Sequence, residues 1–150
     1  MRVQDILAEK AARLVTISPD ACLANAAKLM WSERIGALLV VDERQELVGV
    51  LSERDVIRSV ARSRADALEG PVRDAMAEPW FVMPETTVLE VMRVMTHERV
   101  RHVAVMGGSE LIGIVSIGDI LKSRLAEKDL EIAVLRDVAG AYRSIVQPDG

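Results

Sequence analysis

The chain has 150 residues, half of them apolar and 28% charged, and its net charge of −4 is spread without a long single-sign block. That is enough apolar material for one compact body or two very small ones, and it lacks the basic footprint that duplex nucleic acid needs. One cysteine, Cys22, leaves no internal disulfide and fits a reducing compartment, so the cytoplasm is the expected location; no stretch nears the ~20 apolar residues that cross a bilayer, and the N-terminus lacks a signal-peptide core.

Read along its length, the chain is written twice. Val3-Gln-Asp-Ile-Leu returns as Val72-Arg-Asp-Ala-Met, Ile17-Ser-Pro as Val82-Met-Pro, and Glu33-Arg-Ile as Glu98-Arg-Val. Leu47-Val-Gly-Val-Leu-Ser-Glu-Arg-Asp-Val-Ile returns as Leu111-Ile-Gly-Ile-Val-Ser-Ile-Gly-Asp-Ile-Leu. In the first copy Ser18-Pro19-Asp20 carries helix-start chemistry, and Leu23, Ala27, Met30 and Arg34 then recur at helical spacing until about Ile35. Ala37 to Val41 and Leu47 to Leu51 read as paired strands around a polar turn, the second broken only by Gly49. Val56, Ile57 and Val60 restore helical spacing, so each copy reads strand, helix, strand, strand, helix. Arg58, Arg62 and Arg64, beside Asp66 and Glu69, read as a solvated helix end.

The expected division is a first repeat over 1–65, a linker over 66–71 that includes Gly70-Pro71, and a second repeat over 72–126 with a helical tail over 127–150. In the second copy Val88, Met92 and Met95 mark a helix, His102 to Met106 and Leu111 to Val115 mark strands, and Gly107-Gly108-Ser109 reads as a hairpin turn. Each repeat has too few strands to bury a core alone, so the two should pack together about a pseudo-twofold axis as an α/β pair. In the tail, Leu121, Leu125, Lys128, Ile132, Leu135, Ala139 and Tyr142 follow steps of four and three, a seam for a partner helix or for the chain's own body.

Two polar pairs survive in both copies, Ser52 with Asp55 and Ser116 with Asp119, each at a strand-to-helix junction. One reading is a capping box, in which the pair satisfies the orphan N–H groups of a helix start. The other is a ribose-phosphate grip: free N–H groups and the serine hydroxyl face a phosphate, while the aspartate accepts hydrogen bonds from sugar hydroxyls. Enzyme chemistry finds little support. Cys22 is a lone thiol in a first turn, His97 and His102 lack the one-face spacing of a zinc pair, and no Walker-type phosphate loop occurs. Met30, Met92, Met95 and Met106 fall on expected core faces.

The doubled Gly49-Val-Leu-Ser-Glu-Arg-Asp-Val and Gly113-Ile-Val-Ser-Ile-Gly-Asp-Ile resemble the signature of tandem cystathionine β-synthase-type (CBS) domain pairs, over nearly all of residues 3 to 126. The resemblance implies a compact disc, commonly dimerised, that is regulatory and not an enzyme. It implies adenosine ligands held in clefts between the halves: AMP first, with ADP, ATP, NAD(H) and S-adenosylmethionine as alternatives, in an energy-sensing role for a protein effector still to be identified. By the same resemblance one cleft is built on Ser52 and Asp55, with Arg54, Arg101, His102, Trp80 and Phe81. The other is built on Ser116 and Asp119, with Gly118, Gly36, Ala37, Val15 and Thr16. Arg54 stands where the second cleft has Gly118, so the second is expected to have no matched cation, and the Asp55 cleft to take the more phosphorylated or tighter-bound group. Trp80 and Phe81, following Pro79, read as packing wedges or as a stacking platform for a base, with the backbone of that strand the favoured contact for adenine. Neither catalytic cofactor nor metal is expected, and partners are a small adenosine ligand and a second copy, with no nucleic acid and no membrane.

Overall fold

The doubled apolar runs fold into two three-stranded sheets of one topology, in a computed structural model that describes residues 1–10 and 13–146. In the first sheet β1 (Thr16–Ile17) lies parallel to β2 (Ala37–Val41), and β2 pairs antiparallel with β3 (Leu47–Ser52). Parallel neighbours require a crossover, which α2 (Leu23–Glu33) supplies. The second sheet repeats this with β4 (Phe81–Val82), β5 (His102–Gly107) and β6 (Glu110–Ser116), crossed over by α4 (Val88–His97). Helices α3 (Glu53–Ser63) and α5 (Ile117–Val146) continue from the last strand of each sheet. Helix α1 (Val3–Lys10) opens the chain, and two 3-10 turns, Arg64–Glu69 and Val72–Asp74, lie between the sheets in sequence.

Equivalent contacts relate the halves about a pseudo-twofold axis. Ala37 pairs with Ser52 as His102 pairs with Ser116. The Glu53 amide donates to the Gly36 carbonyl at 3.0 Å, as the Ile117 amide does to the Arg101 carbonyl at 2.9 Å. The two sheets meet across Ala37, Leu39, Val50 and Ala104, where the two alanines let backbones approach.

Each sheet's other face has its own core, and each is completed by a segment from the opposite copy. Val3 and Ile6 of α1 are buried with Val88, Val91, Val103 and Val115 of the second half, while Val72 is buried with Leu23, Met30, Leu38 and Leu51 of the first. Gly49 and Gly113 sit where these crossing segments pass over the sheets. A Cβ on Gly113 would lie 2.8 Å from Leu7 Cδ2, and one on Gly49 would lie 2.9 Å from Met76 Cγ and 3.2 Å from the Ala77 carbonyl oxygen. Of the methionines assigned to the core, Met30 and Met95 are buried, and Met92 and Met106 are half-buried.

One local expectation is corrected. Ser18-Pro19-Asp20 does not start a helix: the Ser18 hydroxyl accepts from the Asp20 amide at 3.2 Å, and the chain turns there. Helix α2 begins at Leu23, with Cys22 as an extended N-cap residue that gives no side-chain cap. The expected helical tail is the continuation of α5, which runs unbroken from the second repeat through Gly140 to Val146. Its seam does not pack on the chain's own body, since Leu125, Ile132, Leu135 and Tyr142 are all exposed. Residues 147–150 of the expected tail lie outside the described residues.

Candidate functional site

At the end of β3 the chain passes directly into α3, and Ser52 is its N-cap. The Ser52 hydroxyl accepts from the Asp55 amide at 3.2 Å, while Asp55 Oδ2 accepts from the Ser52 amide at 2.8 Å and its hydroxyl at 2.7 Å. Asp55 Oδ1 accepts from Arg58 Nη1 at 3.0 Å, so a carboxylate only 7% exposed has both oxygens engaged. At the start of α5 the pattern recurs: Asp119 Oδ2 accepts from the Ser116 amide at 2.8 Å, and the Ser116 hydroxyl accepts from the Asp119 amide at 3.1 Å. Ser-x-x-Asp is therefore a helix cap in both copies.

Each cap also forms the wall of a cleft. The first cleft, about 290 Å³, brings together Ser52, Arg54, Asp55, Trp80, Arg101 and His102, with Gly36 on its floor. Phe81 does not join them; it is 59% exposed, because consecutive residues entering a strand face opposite sides and Trp80 takes the cleft side. The sequence reading missed Glu53, Arg58, Glu78 and Arg99 in this lining. Among the described residues Arg54, Arg99 and Arg101 make no ion pair, which leaves three guanidinium groups available to an anion. The same three arginines line an adjoining, more apolar cavity of about 330 Å³ with Met92, Met95 and Ile117.

The second cleft, about 240 Å³, gathers Val15, Gly36, Ala37, Ser116 and Asp119. Thr16 is absent from its lining for the same alternation that excludes Phe81, and Gly118, whose added Cβ would face the Ser116 hydroxyl at 3.6 Å, lies beside it. The expectation that this cleft has no matched cation is overturned: Lys10, Arg13 and Arg34 all line it. Lys10 Nζ donates to Asp119 Oδ2 at 2.8 Å and to the Ile114 carbonyl at 3.2 Å, and Arg13 pairs with Glu33 at 2.8 Å. Lys10 reaches Asp119 because α1 crosses to the second sheet, so no comparison of aligned repeat positions could have found it. Burial works to raise the Asp119 pKa, yet hydrogen bonds from Lys10 and Ser116, with the ammonium charge, hold it below the usual aspartate value.

Gly36 and His102 line both clefts. Burial, then the Lys10 charge, push the His102 imidazole below its ordinary pKa, against the opposing pull of Asp119 and Glu53; Arg101 adds to the lowering.

Comparison with known proteins gives these clefts a context. A family model described as "CBS domain" matches residues 3–62 and again 72–126. The mitochondrial CBS domain-containing protein CBSX3 of Arabidopsis thaliana is 36% identical over 129 residues, an alignment covering 82% of this chain and 63% of that protein. CBSCBSPB1 of the same plant is 27% identical, and there the chain spans 25% of the relative's length. Among solved structures, the CBS-domain containing protein ATU1752 from Agrobacterium tumefaciens is similar at a TM-score of 0.79 and 35% identity, covering 82% of this chain and 92% of that one. The CBS domain protein PAE2072 from Pyrobaculum aerophilum, whose structure is of a complex with AMP, is similar at 0.71 and 28%, covering 79% of this chain and 89% of that one.

Proposed function

The chain belongs to the CBS-domain family, and on that premise we propose that it is a non-catalytic regulatory module holding an adenosine nucleotide in the clefts between its repeats. The observation that carries this reading is the first cleft. There a strand-to-helix junction, a hydroxyl at Ser52 and Arg54, Arg99 and Arg101, which make no ion pair among the described residues, face one cavity of about 290 Å³. Guanidinium groups gathered around a helix start suit a phosphate, and the neighbouring carboxylate of Asp55 suits a sugar hydroxyl. AMP is the first candidate because PAE2072, 28% identical to this chain, is a complex with AMP.

Cations line the second cleft too, so both clefts suit anionic groups; there Lys10 and Arg13 are held by Asp119 and Glu33, which keeps the Asp55 cleft the stronger candidate for the more phosphorylated group. A dinucleotide of the NAD(H) class laid across both clefts is the second reading, favoured by Gly36 and His102 lying in both linings. S-adenosylmethionine carries a sulfonium and suits arginine-lined clefts less well. In the working module residues 1–65 and 72–126 are the two halves joined by 66–71, and 127–150 is the tail that reports to a second copy and to an effector. Nucleotide shifts the population between two arrangements of the halves by its differential affinity for them. The setting we propose is the cytoplasm; among the described residues no helix is long and apolar enough to cross a membrane.

Thermal unfolding against AMP, ADP, ATP, NADH and S-adenosylmethionine tests the reading. A ligand at a hundred times its dissociation constant adds about 2.7 kcal/mol, a shift of several degrees. A transition unmoved by all five at saturation would sink nucleotide sensing and leave a ligand-free interaction module.

A further inference from the structure

His102 stands on the partition between the two clefts. Its Nε2 lies 3.7 Å and its Cε1 3.8 Å from where a Cβ on Gly36 would sit, so the ring occupies the side that glycine leaves open. Among the described residues no hydrogen bond reaches the imidazole, and neither ring nitrogen is sealed from solvent. Charges face it from every side: Lys10 at the end of α1 and Arg101 just before β5 oppose a positive ring, while Glu53 of α3 and Asp119 of α5 favour one. Arg13 and Arg34 line the second cleft beyond it, and Arg54, Arg58, Arg99 and Glu78 the first.

We propose that His102 couples the two clefts through one shared proton: a phosphate entering either cleft draws a proton onto the ring, and the second cleft then meets an imidazolium already formed. This rests on the reading that the clefts take anionic nucleotides. The ring suits the role because burial and the Lys10 charge oppose its protonated form when the clefts are empty, and a phosphate beside it supplies the opposing negative charge. Linkage fixes the sign. The liganded protein binds more protons than the free protein between the ring's two pKa values, so affinity falls as pH rises through that window and is independent of this ring outside it. By reciprocity, the factor by which a first phosphate favours protonation is the factor by which protonation favours that phosphate, about tenfold for each unit of displacement.

The chain has two histidines, which makes the test direct. The side-chain resonances of both are titrated by NMR in the wild type from about pH 5 to about pH 8.5, a range that brackets imidazole ionisation, with and without saturating AMP. The His102 midpoint should rise by about half to one unit with AMP, while His97, whose side chain is 85% exposed, stays put as the internal control. Calorimetry on wild type and His102→Gln, in buffers of different ionisation enthalpy, then reads the proton. AMP's own phosphate titrates near pH 6 and contributes equally to both proteins, so the difference belongs to the ring. Wild type should take up an added fraction of a proton and bind its second AMP more tightly than its first, and His102→Gln should bind both independently. If the variant fails to fold, the wild-type NMR titration and isotherm still decide. AMP binding with an unmoved His102 midpoint, equal proton uptake in both proteins, or a single-site isotherm overturns the coupling and leaves the nucleotide reading standing. No AMP binding at all would remove both.

Discussion

Asp55 is asked for two roles with one carboxylate. Its Oδ2 caps α3 and its Oδ1 holds Arg58, whose side chain is 52% exposed and free to swing away, so a ribose hydroxyl would displace Arg58 and leave the cap intact. Helix α4 supplies the control. Thr87 and Glu90 form the same capping box, with Thr87 N to Glu90 Oε2 at 2.8 Å, and neither lines a cleft. Thr87→Ala should cost about 1 kcal/mol by urea unfolding and leave any AMP-induced shift unchanged. Asp55→Ala should cost at least as much and lose the first cleft's share of that shift; two variants that behave alike would reduce Ser-x-x-Asp to a cap. Lys10 and Asp119 give a pH signature. Asp119 titrates below an ordinary aspartate, so its pairing stabilises the fold above the unfolded pKa near 4, and that contribution is lost as pH falls through the folded value. With side chains 27% and 21% exposed, the pair contributes only about 0.5–1 kcal/mol. Lys10→Met should lower stability by that amount at neutral pH and by progressively less as pH falls from about 4 through the folded Asp119 value, in urea unfolding followed across pH. An equal loss at both ends would mean that Lys10 acts through packing of its stem.

At the scale of elements, the crossing segments do the joining. A strand pattern says which residues alternate and a helix pattern which face is apolar, so the repeat, its sheets and its helices were readable from the sequence; the part of the cleft lining around Ser52, Asp55, Arg101 and His102 came from the family resemblance. Where a short apolar segment goes in three dimensions is not a local property. Val3 and Ile6 look the same whether they cover their own sheet or the other, and with that ambiguity went Lys10 and the charge of the second cleft. Ser18 was misread for a related reason: the chemistry that caps a helix also closes a turn, and its hydroxyl serves the turn. The glycines carry the trace of the crossing. Gly49→Ala would place a methyl group 3.2 Å from the Ala77 carbonyl, a backbone atom held by reciprocal bonds to Val50 at 2.9 and 3.0 Å. Gly113→Ala meets only side-chain atoms of Leu7, which can turn aside. The first should cost about 1–3 kcal/mol and the second less. Since Ala77 lines the first cleft, Gly49→Ala should also weaken AMP there; equal costs would show that the two crossings are held with equal rigidity.

For the whole molecule, the long helix is the part whose stability the rest does not explain. From Lys128 to Tyr142 every residue of α5 is exposed, so that stretch buries no side chain of its own to offset the marginal stability of an isolated helix. Its apolar residues are not scattered. Leu125, Ile132, Leu135 and Tyr142 keep the seam spacing read from the sequence, and Leu130, Val134 and Val138 flank it, all exposed. A second copy of the same helix supplies a matching seam, so the expected state is a homodimer in which the tails pair. Lys128, the charged step in that seam, is held by Glu131 at 2.7 Å on its own helix, which lowers the cost of bringing it near a partner. Leu135→Glu places a carboxylate in the seam of both copies and should raise the dimer dissociation constant by about a hundredfold, some 2.7 kcal/mol, in sedimentation equilibrium. The clefts lie on the other side of the fold's connectivity, at β2, β3, β5 and the starts of α3 and α5, so the same variant should keep its AMP shift. A variant that stays dimeric would put the dimer contact on the body and leave the seam for an effector helix. A variant that becomes monomeric and also loses the AMP shift would show that the clefts need the paired state, which makes tail pairing the conformational variable that nucleotide controls.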